Sequence, residues 1–370
     1  MLRLCGRILP AFMVQKYSGF PNYIVILSHY LKMKMKKILI PTVFFTVCHL
    51  AYAQGESSAM RVMSLPTTAH NVALGGENIT AMDNQPGVGL HNPALLAGTD
   101  TRCAALQFMT YADGGKWMGA EYAMAFGERH TGAAYLHFMG YGEMDETDAS
   151  GNVIGTFAPK DAVMGVGYSY LLSDHWAGGA NFKAAYSRIA DYSSASLAVD
   201  LGLNYYDAEK ALSVSMVMRN IGAQIKTYDG VVERVPYNLQ LGLTKGLAHL
   251  PVEFHITLTD LTRWKKSDYL TIPDTEKEKQ NGDGSTSLST GRLMLNHLVF
   301  GIEVKPRENI WIAAGYNFRR GYELQAAGKG HLAGLSAGAG IRLQRFSIGL
   351  AWAKYHMAAQ SLMGNVAVSF

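Results

Sequence analysis

Charge is scarce in this 370-residue chain: Asp, Glu, Lys and Arg together make 17% of it, against about 25% in an average soluble protein. The net charge of +4 is modest, and no basic stripe is interleaved with aromatics, which excludes nucleic acid as a partner. Cysteine is nearly absent as well. Of Cys5, Cys48 and Cys103 the first two fall in an amino-terminal leader, so Cys103 stands alone and no intramolecular disulfide can form. Beyond the leader no run approaches the ~18 apolar residues of a spanning helix. The histidines (His130, His137, His249, His255, His297) show no paired metal spacing, which gives no metal or cofactor. Gly330, Gly334, Gly338 and Gly340 do not spell a phosphate loop, and no nucleophile motif accompanies the scattered Ser, His and acidic residues, so the chain reads as no enzyme.

Present in abundance are glycine (39), tyrosine (20) and phenylalanine (14), the residues that a curved sheet with interfacial girdles uses. The leader runs Met-Lys-Met-Lys-Lys, then a short apolar core, then Ala51-Tyr-Ala53. That order predicts a signal peptide over 33–53 cut after Ala53, with residues 1–32 a spurious extension ahead of the true start.

Period-two alternation then recurs along the chain. Leu197, Val199, Leu201 and Leu203 alternate with Ser196, Ala198, Asp200 and Gly202, and Phe346, Ile348, Leu350 and Trp352 alternate with Ser347, Gly349 and Ala351. The last stretch puts Leu362, Val366, Val368 and Phe370 on one face and Met363, Asn365 and Ala367 on the other. Counting such segments gives about fourteen strands of spanning length, an even number. They fall at 103–112, 115–127, 129–142, 160–172, 175–190, 193–206, 210–222, 235–246, 252–262, 295–305, 309–321, 330–344, 345–357 and 359–370. Links after even-numbered strands are short and the long ones follow odd-numbered strands, the asymmetry of an outer-membrane barrel. The fold class is therefore all-β: a transmembrane antiparallel barrel over 103–370, closed by pairing the final strand with the first, because an unpaired edge in hydrocarbon costs several kcal/mol per group. Trp117, Trp176, Trp264, Trp311 and Trp352 read as girdle residues.

Residues 54–102 precede the first strand and carry Val72, Leu74, Ile79, Val88, Leu90, Leu95 and Leu96. That apolar content predicts burial, and the barrel lumen is the cavity at hand. Ala73-Leu-Gly-Gly-Glu-Asn-Ile-Thr-Ala-Met-Asp83, followed by Asn92-Pro93-Ala94, resembles the amino-terminal hatch of the FadL-like barrels. Tyr141 to Asn152, Ala198 to Gly202 and Arg219 to Tyr228 extend the likeness toward the PorV/PorQ group of the type IX secretion system.

The resemblance implies a non-enzymatic outer-membrane component that anchors a PorZ-like surface protein, with PorU- and PorV-like partners, so that secreted cargo is attached to the surface of a Gram-negative cell. The alternative it implies is a transporter of hydrophobic small molecules. Two outer loops are the expected partner contacts: one with Glu143, Asp145, Glu146 and Asp148, the other with Lys277, Lys279 and Asp283. The acidic order in the first does not match a calcium-binding loop and reads as a solvated turn.

Overall fold

The computed structural model describes residues 59–99, 102–111, 114–265, 269, 288–324, 332–355 and 360–370. The leader, with Ala51 and Ala53, and the loop positions Lys277, Lys279 and Asp283 lie outside the described residues. The strands are β1 (Arg102–Thr110), β2 (Lys116–Phe126), β3 (His130–Gly140), β4 (Met144–Thr147), β5 (Val153–Phe157), β6 (Lys160–Leu171), β7 (Trp176–Ile189), β8 (Tyr192–Asp207), β9 (Leu212–Lys226), β10 (Asn238–Gly246), β11 (Val252–Leu258), β12 (Leu298–Arg307), β13 (Ile310–Asn317), β14 (Leu335–Leu343), β15 (Phe346–Ala353) and β16 (Ser361–Ser369). All but β4 and β5 join one closed antiparallel barrel of 14 strands. The seam is β1 against β16, with Cys103 opposite Ser369 and Met109 opposite Met363. The sequence reading placed this closure and its strands, and the structure contains them.

The barrel is apolar outside and polar inside. On β1 and β3, Leu106, Phe108, Leu136 and Phe138 are exposed, while Gln107 and His137 between them are buried. The same holds for Met164 and Val166 on β6. Buried Glu121, Asp161, Asn181, Asp200, Gln240 and Asn365 point the other way. In water this pattern would leave a whole apolar surface wet, each large side chain forgoing roughly 1.5–3 kcal/mol of transfer free energy. In a bilayer the same surface is solvated by acyl chains, so the alternation follows from the solvent. No helix among the described residues is long and apolar enough to cross a membrane.

One end of the barrel carries tight turns, such as 127–129, 172–175 and 344–345; the other carries most of the long connections. We call these the turn end and the loop end; in outer-membrane barrels the longer loops face out. Pairing is continuous around the wall except for register shifts in β8–β9 and β12–β13. At the first of these Asn220 adopts φ 55, the left-handed region that asparagine tolerates better than most residues.

Several sequence-based expectations are corrected. Trp117 is fully buried in the lumen, and Trp311 stacks on His70 at 4.5 Å between ring centroids, so neither belongs to a girdle. Trp176 and Trp264 are exposed. The strand expected over 309–321 stops at Asn317, whose side chain accepts from the Arg320 amide and caps a short helix, Phe318–Glu323. The strand expected over 252–262 stops at Leu258. The acidic loop after β3, read as a solvated turn, is a hairpin of β4 and β5 with Glu143, Asp145 and Glu146 exposed. Asp148 closes that hairpin, accepting from the amides of Ser150 (2.8 Å) and Asn152 (2.9 Å), and its bonds to Asn152 hold its carboxyl below the usual range.

Candidate functional site

The described part of the segment before β1 fills the lumen and sets what the barrel can do. It enters as a turn of 3-10 helix, Arg61–Ser64, followed by a short helix, Ala69–Ala73, that Thr68 caps through the Asn71 amide. Gly75 and Gly76 then turn the chain with φ of 99° and 86°, which glycine adopts without strain. A second helical turn, Val88–His91, leads into Pro93–Gly98.

Asn92-Pro93-Ala94, the motif singled out from sequence, is the joint between this hatch and the wall. The Asn92 side chain accepts from the Ala94 amide at 3.0 Å. Its Nδ2 donates to the Ile79 carbonyl (2.9 Å) and to Ser215 Oγ (3.0 Å) on β9. Pro93 lies against two wall positions that have no room for a side chain: a Cβ on Gly179 would sit 2.5 Å from the Pro93 carbonyl carbon, and one on Gly202 would sit 2.2 Å from Asn92 Oδ1. Asn92→Ala removes three hydrogen bonds worth about 1 kcal/mol each. The hatch is expected to become sensitive to trypsin under conditions where the wild-type protein resists, with the barrel still heat-modifiable on a gel. Equal protection of both proteins would refute the joint.

Other polar bonds bolt the hatch to the wall around its girth. The Ala69 amide donates to Asn365 Oδ1 (3.1 Å), and Asn365 Nδ2 donates to Gln85 Oε1 (2.6 Å). Thr80 Oγ1 meets Thr244 Oγ1 at 2.7 Å, and Gln240 Nε2 donates to Glu77 Oε2 at 2.8 Å. Asn181 Nδ2 and Ser336 Oγ donate to the hatch carbonyls of Gly89 and Ala73. His70 lies between Asp83 (3.5 Å) and Glu303 (3.2 Å). Burial alone would lower its pKa, but Glu303 and then Asp83 override that and raise it to about 10, so the imidazole is charged at neutral pH. His91 goes the other way: burial, then Arg219, holds it well below its ordinary value and keeps it neutral.

Toward the loop end the contacts change character. Met363, Met109, Trp117 and Met139 form one row across β16, β1, β2 and β3, each opposite the next. All four are buried, in one apolar cluster with Met60, Val62 and Met63 of the hatch's first turn. Methionine's flexible thioether adapts to irregular apolar guests. Among the described residues, the polar bonds from this first turn to the barrel include Ala59 N to Arg234 O (2.8 Å) and Arg219 Nη2 to Met63 O (3.3 Å). A described cavity lies instead at the turn end, lined by Met82, Ala97, Leu171 and Trp176, and measures about 70 Å³. That is well below the 300–1,000 Å³ typical of ligand sites. In this conformation the described part of the hatch is seated against the wall.

The described ones of the sequence-predicted loop residues lie on the β4–β5 hairpin. Glu143, Asp145 and Glu146 are solvent-facing on and beside β4, away from the lumen. On the same hairpin Val153 and Ile154 are exposed, as are Val231 and Val232 in the next loop at the same end. Leu362 and Val366 are exposed on β16, Val368 is half-buried, and Phe370 is exposed just past the strand's end. Residues that sequence reasoning missed are the lumenal carboxylates and their basic partners, Glu121 with His137, Asp200 with Lys183, and Glu303 with His70 and His255. Their signal was the phase of each polar residue within its strand.

No family model and no curated protein matches the chain. Among solved structures it is similar to the deltaS2S3 mutant of the monoaromatic hydrocarbon channel TodX, at 11% identity over 81% of this chain and 97% of that one, with a TM-score of 0.51. It also aligns with the Pseudomonas putida toluene transporter TodX (10%, 82% of this chain and 96% of that one, TM-score 0.49). A Pseudomonas aeruginosa FadL homologue aligns at 11% identity over 82% and 98% of the two chains, with a TM-score of 0.45. Identities this low concern architecture alone: the chain has the fold of FadL-like outer-membrane barrels.

Proposed function

We propose that this protein is an outer-membrane conduit for hydrophobic small molecules. Supporting it is the row of Met363, Met109, Trp117 and Met139 at the loop end of the lumen, a sulfur- and aromatic-lined seat occupied by the chain's own Met60, Val62 and Met63. A water-filled porin presents a polar bore there. The TodX variant with the same architecture is described as a monoaromatic hydrocarbon channel. An apolar solute arriving from outside competes with residues 59–65 for this seat. Because few polar bonds among the described residues hold them, these residues can leave while the bolts lower in the hatch stay made. Purified protein in lipid vesicles is expected to take up labelled toluene or a labelled long-chain fatty acid faster than empty vesicles. Met60→Ser/Met63→Ser, which weakens the competitor, is expected to raise the rate. Uptake no faster than in protein-free vesicles would sink the proposal.

A second reading rests on a different surface. Val153, Ile154, Val231 and Val232 expose branched apolar side chains at the loop end, where water rather than lipid is the solvent, and such a patch suits a protein partner. This is the anchoring role of the PorV/PorQ group, with a PorZ-like surface protein as its partner and PorU- and PorV-like components beside it. Affinity capture from solubilised envelopes, compared with Val153→Asp/Ile154→Asp, tests it. The anchor reading requires a surface protein that the native barrel retains and the variant loses.

A further inference from the structure

Strands β11 and β12 pair with Glu253 directly opposite Glu303, and period two puts His255 on the same lumenal face. Two carboxylates opposed across a strand pair repel unless a cation lies between them. Glu253, His255 and Glu303 each offer a ligand atom, and the three atoms lie within 4.8 Å of one another. His255 Nε2 is 3.2 Å from Glu303 Oε2. Both residues are 1% exposed, and Glu303 Oε2 lies 3.2 Å from both His255 Nε2 and His70 Nε2, contacts without the alignment of a hydrogen bond. On the ring's other side, Nδ1 lies 2.8 Å from Thr244 Oγ1, which meets Thr80 Oγ1 of the hatch at 2.7 Å. With the proton on Nδ1 and donated to Thr244, Nε2 turns a lone pair toward the carboxylate. Orientation of a ligating histidine by a second hydrogen bond is the usual arrangement in metal sites.

We propose that Glu253, His255 and Glu303 bind a divalent transition-metal ion of the zinc class at the turn end of the lumen. One imidazole nitrogen and two carboxylates suit such an ion, with bonds of about 2.0–2.2 Å. Calcium takes six to eight oxygens, which this set does not supply. Ligands of a tetrahedral ion at those bond lengths stand about 3.3 Å apart, close to the present His255–Glu303 spacing. The competitor is Lys305, whose ammonium is 2.7 Å from Glu253 and 3.7 Å from Glu303. Its side chain is 39% exposed, so it can swing into solvent as the ion enters from the turn end. His70 of the hatch contacts the same Glu303 oxygen, so the bound ion and the hatch share one carboxylate.

The test is calorimetric titration of chelator-stripped, detergent-purified protein with zinc chloride, with cobalt(II) visible absorption as a second probe of the coordination shell. One equivalent per barrel is expected. His255→Ala abolishes the binding, and Glu253→Gln, at the partly exposed edge where the fold tolerates change, weakens it by roughly tenfold or more. Lys305→Met tightens it. Heat-modifiability on a gel confirms that each variant is folded. The site is refuted if the native protein takes up no stoichiometric metal, or if folded His255→Ala or Glu253→Gln binds as the native protein does.

Discussion

Lys183→Met is expected to destabilise the barrel by about 3–5 kcal/mol, because it leaves Asp200 as an uncompensated carboxylate in the lumen. Lys183 and Asp200 are 1% and 0% exposed, and their charged atoms are 2.8 Å apart. Asp200 also accepts from the Asn220 amide (2.7 Å) and from Asn181 Nδ2 (3.0 Å), so these bonds survive the substitution, while the cation goes together with the bond Lys183 donates to Asn220 Oδ1. The buried carboxylate then loses the one cation at contact distance among the described residues. Lys183→Met/Asp200→Asn removes both charges, and most of the stability should return, since a buried pair replaced as a unit is often close to neutral. Non-additivity of this size is the signature of direct coupling. Guanidinium unfolding in lipid vesicles measures it through the midpoints of the single and double variants. Similar midpoints for native protein and Lys183→Met would show that water reaches Asp200 and that the lumen is not dry.

The second large effect concerns the bore itself. Deleting residues 59–98 is expected to convert a protein with no steady conductance in a planar bilayer into one with discrete current steps, a rise of more than about tenfold. Barrels of about eight strands are filled by wall side chains alone, and those of 16–18 leave an aqueous channel. Fourteen strands fall near the open end of that range, and in this wall many lumenal side chains are small: Ala105, Gly179, Gly202, Ala313, Gly315 and Ser336. Their complement is the hatch, whose Ala73–Gly75 backbone approaches Gly315 so closely that a Cβ there would sit 2.3 Å from the Gly75 nitrogen. With the hatch removed, lumenal Asn, Gln, Ser and Thr side chains exchange hatch partners for water, so the barrel is expected to keep its fold. A folded deletion variant that stays electrically silent would mean that the wall fills its own bore.

Barrel and closure were legible in the sequence because lipid and lumen are such different solvents that period two survives in nearly every strand. The β16 reading shows it: Leu362, Val366 and Phe370 could face only lipid, with Asn365 between them. Trp117 and Trp311 were misplaced because residue type was weighed above phase. Trp117 shares its phase with Glu121, and Trp311 shares its phase with Asn317, and a polar residue in phase marks the lumenal face. The hatch motif was recognisable, but its partners were not. Asn92 meets Gly202 and Ser215 more than a hundred residues away, and nothing local encodes that meeting. Likewise the cluster of Glu253, His255 and Glu303 depends on the register of β11 against β12, which no spacing along the chain displays.

The seam between the first strand and the last imposes an order on biogenesis. Phe370 N donates to Arg102 O at 3.0 Å, so the final residue latches onto the very place where the chain leaves the interior. Once that latch shuts, a folded hatch has no lateral way in, and its many bonds to facing walls could not be made one at a time from a mouth. The stopper must therefore already be seated while the sheet is still an open ribbon curling around it. The last hairpin then zips shut over finished cargo.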